Sequence, residues 1–168
     1  MDNKIKQIEK VVVNSGIGRL STQPNFQDKI LPALVADFAA ITGQKPSERP
    51  AKKSISSFKL RQGTIVGLKA TLRRRRMAQF LQKVVKVVLP RVRDFQGIDQ
   101  KNIDQQGILT FGVKDHYVFP EVTPDATRQS FGVEITVVPK DEKNHEEAIE
   151  FYKKLGVPFA KANEGKKR

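Results

Sequence analysis

The chain has 168 residues, with 31 Lys and Arg against 18 Asp and Glu, a net charge of +13 and a pI near 10.1. That length suits one domain with a true core, and the basic excess points to a polyanionic partner. Cysteine is absent, which excludes disulfides and thiolate metal sites; the polar start and the lack of any apolar run near about 18 residues predict a soluble intracellular protein with no membrane partner.

Charge is unevenly placed. Residues 1–93 carry 20 Lys and Arg against 5 acids, whereas residues 94–168 carry 11 against 13. Only the first half is suited to phosphate. The densest stretch, residues 41–76, holds Lys45, Arg49, Lys52, Lys53, Lys59, Arg61, Lys69 and the arginine run 73–76, with Glu48 as its one acid. Turn residues and strand-like alternation interrupt these cations, so the segment reads as folded and RNA-binding, unlike a disordered basic tail.

In chain order, the β-branched run 8–13 predicts a strand, and Asn14-Ser15-Gly16-Ile17-Gly18 predicts a tight loop after it. An apolar face of Ile30, Leu31, Leu34, Val35, Phe38 and Ile41 predicts a helix, with Asn25 as its cap and Gly43 as its stop. Pro32 requires that this helix either start near Leu31 or bend. Strand-like pieces follow at 45–49, 58–61 and 65–73. In the last, Gly67, Lys69, Thr71 and Arg73 share a polar face opposite Val66, Leu68, Ala70 and Leu72.

Residues 75–89 form the strongest helical pattern, with Met77, Phe80, Leu81, Val84, Val85, Val88 and Leu89 on one stripe and Pro90 to end it. A polar loop spans 91–107. Strands are expected at 108–113 and 132–138. A last helix is expected from about Asp141 to Leu155, acidic at its start, basic at its end and stopped by Gly156.

No catalytic or metal-binding constellation emerges. His116 and His145 lack acidic or cysteine partners at ligand spacing and read as surface histidines. Asp141, Glu142, Glu146 and Glu147 read as a solvated helix start. The first turn has only G-x-G, which is no dinucleotide or phosphate-loop fingerprint. No cofactor is expected. With ten Phe, two Tyr and no Trp, mostly in apolar patterns, recognition is expected to rest on phosphates, sugar hydroxyls and RNA shape rather than stacked bases.

Successive segments then resemble one family. KVVVNSGIG (10–18), ITGQKP (41–46), AKKSISSFKLRQG (51–63), TLRRRRMAQFL (71–81), LPRVRDFQG (89–97), VFPEV (118–122) and LGVPFAK (155–161) are similar, in order, to the motifs of large-subunit ribosomal protein five in its bacterial form. The resemblance implies an α+β fold: a two-layer domain with a curved, mostly antiparallel sheet and helices packed on one face. It implies a single domain over 1–160 and a flexible basic tail over 161–168.

It also implies a structural, non-enzymatic role in the cytoplasmic large ribosomal subunit, holding 5S rRNA in the central protuberance beside large-subunit rRNA and neighbouring proteins. The matching RNA-binding positions are Asn14, Gly16, Thr42, Gly43, Gln44, Lys45, Lys52, Lys53, Ser54, Lys69, Thr71 and Arg73. Arg61, Gln62, Gly63, Thr64 and Ile65 match the loop that approaches P-site tRNA. Segments 97–107 and 121–129 resemble those facing a small-subunit head protein.

Three departures stand out. Only nine residues precede Lys10, where the family carries a longer N-terminal helix; Arg74 replaces the glycine of an L-R-G turn; and a glycine-rich loop is reduced to IDQQGI (103–108). An RNA-modifying enzyme and a nonspecific DNA-compacting protein are the competing expectations.

Overall fold

The computed structural model describes residues 5–123 and 129–160; the tail expected to be flexible lies outside the described residues. The sheet has five strands, four of them containing β-branched residues and the edge strand Ser47–Pro50 none. The five are β1 (Ile8–Gly16), β2 (Ser47–Pro50), β3 (Ile65–Leu72), β4 (Leu109–Val113) and β5 (Val133–Pro139). They form one antiparallel sheet in the order β2–β3–β1–β5–β4.

The alternation read in β3 holds. Leu68, Ala70 and Leu72 point into the core together with Val11 and Val13 of β1, Ile135 and Val137 of β5, and Leu109 of β4. Three helices supply the second layer: α1 (Leu31–Thr42), α2 (Arg74–Lys83) and α3 (His145–Leu155). Phe38 and Ile41 of α1, Met77, Phe80 and Leu81 of α2, and Ala148, Tyr152 and Leu155 of α3 join the strands in one buried cluster. The fold is the expected α+β arrangement.

Several boundaries differ from expectation, each for a local reason. β1 runs on through Asn14, Ser15 and Gly16, because strands on both sides pair with it and override the turn chemistry of those residues. The strand-like piece at 58–61 is instead the return of a small hairpin. Ser56–Phe58 turn as a 3₁₀ element, and only Ile55 and Leu60 pair. α3 begins four residues later than Asp141. The preceding backbone is already engaged: Lys140 N donates to Gln7 O at 2.8 Å and Lys143 N to Gln106 O at 3.4 Å.

Both long helices pass through a proline by the same device. One π turn, Phe26–Ile30, ends two residues before Pro32, and another, Val84–Val88, ends two residues before Pro90. Their closing bonds are Leu31 N to Phe26 O and Leu89 N to Val84 O. A proline ring crowds the carbonyl four residues back, here that of Asp28 or Lys86. Widening the turn that holds this carbonyl lets the helix continue. The second helix therefore extends through Pro90 to Arg91 instead of ending before it. Asn25 also differs from its expected role. It sits at φ +60 without a side-chain capping bond, and its carbonyl accepts from Lys29 N at 3.0 Å.

The missing glycine of the L-R-G turn has a visible consequence. Arg74 opens α2 at φ +52, a left-handed conformation that costs a residue bearing Cβ about 1 kcal/mol. Gly43, by contrast, closes α1 at φ +67 and donates its N–H to Ala39 O at 2.8 Å, as expected of a helix stop.

The histidines divide. His145 is exposed, but His116 is fully buried, against the reading of both as surface residues. Its ring stacks on Phe131 at 3.9 Å, and its Nε2 lies 3.9 Å from Asp37 Oδ2. A buried aromatic face and a nearby carboxylate make it a packing residue of the core. Tyr152 is buried with it; its hydroxyl donates to Gly107 O at 2.8 Å, and burial pushes the phenol above its ordinary range.

Candidate nucleic-acid interface

Strand pairing fixes what the face turned away from the helices presents, because residues opposite each other in an antiparallel pair share a face. Asn14 stands at its centre, between Lys69 of β3 and Glu134 of β5. Val12 lies between Thr71 and Thr136, and Thr136 meets Thr110 with their Oγ1 atoms 3.2 Å apart. Gly16 faces Gly67, and Gly112 faces Glu134. Apart from Lys69 and Glu134, the middle of the face is thus built from small polar and β-branched side chains. Such a surface lets a backbone approach closely and offers hydroxyls and an amide for hydrogen bonding.

The cations frame this surface along one side. On the outer strands, Ser47 pairs with Lys69 and Arg49 with Gly67. Beyond them, Ala51 N donates to Thr64 O at 2.8 Å and Gly63 N to Ala51 O at 3.0 Å, which extends the ribbon past the sheet. The chain then projects as a hairpin in which residues 52–59 are all exposed. Lys52 and Lys53 sit on its outgoing arm. Ser54 Oγ accepts from Gln62 N at 2.9 Å and ties the arms together. The sequence from 49 to 93 contains no Asp or Glu, so nothing acidic within this segment neutralises the edge.

The expected tRNA-facing residues do not share one environment. Arg61, Gln62 and Gly63 are exposed, whereas Thr64 and Ile65 are half-buried, and Ile65 opens β3 opposite Pro50. The exposed tip of the projection is residues 55–59.

At the other end of the edge, α1 and α2 bring their termini together. Gln44 Oε1 accepts from Arg76 Nη1 at 3.4 Å, and Lys45 beside it is exposed. Gly43 is exposed, and nothing lies within 4 Å of where a Cβ would project. Thr42 is buried; its Oγ1 lies 2.9 Å from Phe38 O and 2.8 Å from Gln44 O, so it shapes this turn from within. Arg73 closes the face beside Glu9, at 2.9 Å from its carboxylate, and that hydrogen bond holds the Glu9 carboxyl below its usual range.

Residues that sequence reasoning passed over complete the picture. Lys83 donates to Ile41 O at 2.7 Å and to Glu121 Oε1 at 2.6 Å, and so caps the C-terminus of α1. Only the packing of α1 against α2 reveals this. Thr110 and Thr136, by contrast, follow from the same alternation that exposed Lys69 and Thr71.

Among the described residues there is no group of His, Asp and Glu that would hold a metal ion, and no helix long and apolar enough to cross a membrane. These features define a class: an α+β protein that keeps one sheet face uncovered and rims it with cations. Two family profiles match the chain, ribosomal protein L5 over residues 3–61 and the C-terminus of the same ribosomal family over residues 65–159. The chain is 45% identical over 155 residues to the large ribosomal subunit protein uL5 of Halothermothrix orenii, covering 92% of this chain and 84% of that protein. It is 46% identical over 157 residues to uL5 of Pseudothermotoga lettingae, covering 94% and 83%. With uL5 of Malacoplasma penetrans it shares 41% identity over 163 residues, covering 97% and 84%.

The chain therefore belongs to the ribosomal protein L5 family of the large ribosomal subunit, whose members are structural proteins and not enzymes.

Proposed function

We propose that this protein binds 5S rRNA in the central protuberance of the bacterial large subunit, as part of the cytoplasmic ribosome. Asn14, Gly16, Lys69, Thr71 and Arg73 meet the RNA from the sheet, and Gly43, Gln44 and Lys45 meet it from the turn after α1. Lys52, Lys53 and Ser54 meet it from the base of the hairpin. Thr42 positions the α1 turn. The hairpin return, from Arg61 to Ile65, faces the tRNA of the peptidyl site. The near-neutral second half, through segments 97–107 and 121–129, faces a small-subunit head protein; residues 124–128 of it lie outside the described residues.

One observation carries this reading. Arg49 and Lys69 lie on the β2–β3 side of a sheet face whose central strand presents Val12, Asn14 and Gly16, and Lys52, Lys53 and Lys59 continue that side on the exposed hairpin. Phosphates fit the rim, and sugar hydroxyls and base edges fit the centre.

Affinity for isolated 5S rRNA should fall steeply with salt. If Lys45, Lys52, Lys53, Lys69 and Arg73 each neutralise one phosphate, raising salt from about 50 to about 200 mM should weaken binding about 500-fold. A filter-binding series that stayed flat over that range would end the phosphate-clamp account.

A further inference from the structure

We propose that Phe58 is a base-stacking residue, and that the groove it lines receives one unpaired base of the peptidyl-site tRNA. The inference rests on the tRNA-facing role proposed above for the hairpin and adds the residue and the chemistry of that contact.

Phe58 is 71% exposed, the most open of the large apolar side chains among the described residues, and Ile55 on the same hairpin follows at 42%. A lone exposed apolar side chain is ordinary on a protein surface; what singles this ring out is the ordered hairpin that carries it and the groove it lines. The hairpin around it is ordered by its own bonds. Ile55 N donates to Leu60 O at 2.9 Å, and Leu60 N donates to Ile55 O at 3.0 Å. Lys59 completes the turn at φ +51. The ring is thus carried on a built platform.

The ring also forms one wall of a groove. The hairpin and the turn after β1 enclose about 440 Å³ lined by Gly18, Arg19, Thr22, Phe58, Leu60 and Val66. That volume accommodates a single base with part of its sugar. Leu60 and Val66 give it an apolar floor, and Arg19 places a guanidinium at the groove.

Surrounding charge selects the occupant. Lys52, Lys53, Lys59 and Arg61 are exposed on the same hairpin, and the segment 49–93 has no acid to balance them. An apolar segment of another protein would meet this field without compensation. A nucleotide brings a phosphate for the cations and a flat face for the ring. Neighbouring bases cover those faces inside a duplex, so the occupant is a base turned out of the stack and therefore unpaired. The hairpin extends the ribbon beyond the end of the sheet, away from the centre of the face assigned to 5S rRNA, and this favours the tRNA as its source.

Ribosomes assembled with Phe58→Ala, Phe58→Leu and Phe58→Tyr test this, with deacylated tRNA in the peptidyl site. Base-specific chemical probing and tRNA dissociation rates are measured on the same particles. Phe58→Ala and Phe58→Leu should each expose one tRNA base and speed dissociation about tenfold, whereas Phe58→Tyr should match wild type. Full retention by Phe58→Leu would show apolar packing without stacking and overturn the proposal. So would a newly exposed base in 5S rRNA instead of tRNA, or no base affected by any variant. Backbone protection of 5S rRNA in the wild-type particle separates the two levels. If that protection is present while the Phe58 variants all behave alike, only this inference fails; if it is missing, the RNA-binding reading beneath it fails as well.

Discussion

Replacing Gly97 with alanine is expected to destabilise the protein by about 3 kcal/mol, a large loss for the addition of one methyl group. A Cβ at Gly97 would fall 2.3 Å from Ala160 N, 2.5 Å from Phe159 C and 2.7 Å from Ala160 Cα. All three are backbone atoms, so no side-chain rotation relieves the clash. The conformation adds to the cost, since Gly97 sits at φ +106. The close approach exists because Ile98 and Phe159 form an isolated parallel β-bridge. Ile98 N donates to Pro158 O at 2.9 Å, and Ala160 N donates to Ile98 O at 3.0 Å. This latch ties the segment after α3 to the loop before β4.

Gly43→Ala provides the control. Its φ of +67 imposes similar backbone strain, but nothing lies within 4 Å of the added methyl. It should cost about 1 kcal/mol, the conformational part alone. Chemical denaturation measures both, and hydrogen exchange at the Ile98 and Ala160 amides locates the damage. Equal losses for the two variants would show that the latch contributes nothing.

The second large effect concerns binding. Lys52→Glu combined with Lys53→Glu should weaken 5S rRNA binding about 10- to 100-fold near physiological salt. It should also lower the salt slope by about two units, because two cation–phosphate contacts become repulsions. Stability should hardly change. Both side chains are exposed, and neither enters an ion pair among the described residues. A folded double variant with wild-type affinity would move the phosphate contacts away from the hairpin base.

Much of the architecture was legible in the residues. The alternation from Gly67 to Arg73 sorted one strand into a core face and an open face, and the stripe from Met77 to Leu89 marked the helix behind it. Where local chemistry and tertiary context disagreed, context prevailed. Asn14, Ser15 and Gly16 favour a turn, yet a strand pairs with them on each side and holds them extended. Pro90 favours a helix end, yet a π turn carries the chain past it.

The interface was half legible. Acid-free composition located the cations but not their arrangement, which follows the β2–β3 side and the hairpin more than the sheet centre. Lys83 and buried His116 act through contacts between elements distant in sequence, which no spacing rule reports, whereas buried Thr42 is held by local bonds to Phe38 O and Gln44 O. Phe58 shows the opposite failure. A lone phenylalanine among serines and lysines carries no periodic signal, and only its exposure marks it out.

The sheet's orientation toward RNA can be read directly, because the chain has no cysteine. A single Thr71→Cys variant carries a tethered iron chelate into assembled large subunits, where hydroxyl radicals cut nearby RNA backbone. Strong cuts in 5S rRNA are the expected result. Cuts confined to other RNA, or none, would contradict the assignment of this face to 5S rRNA.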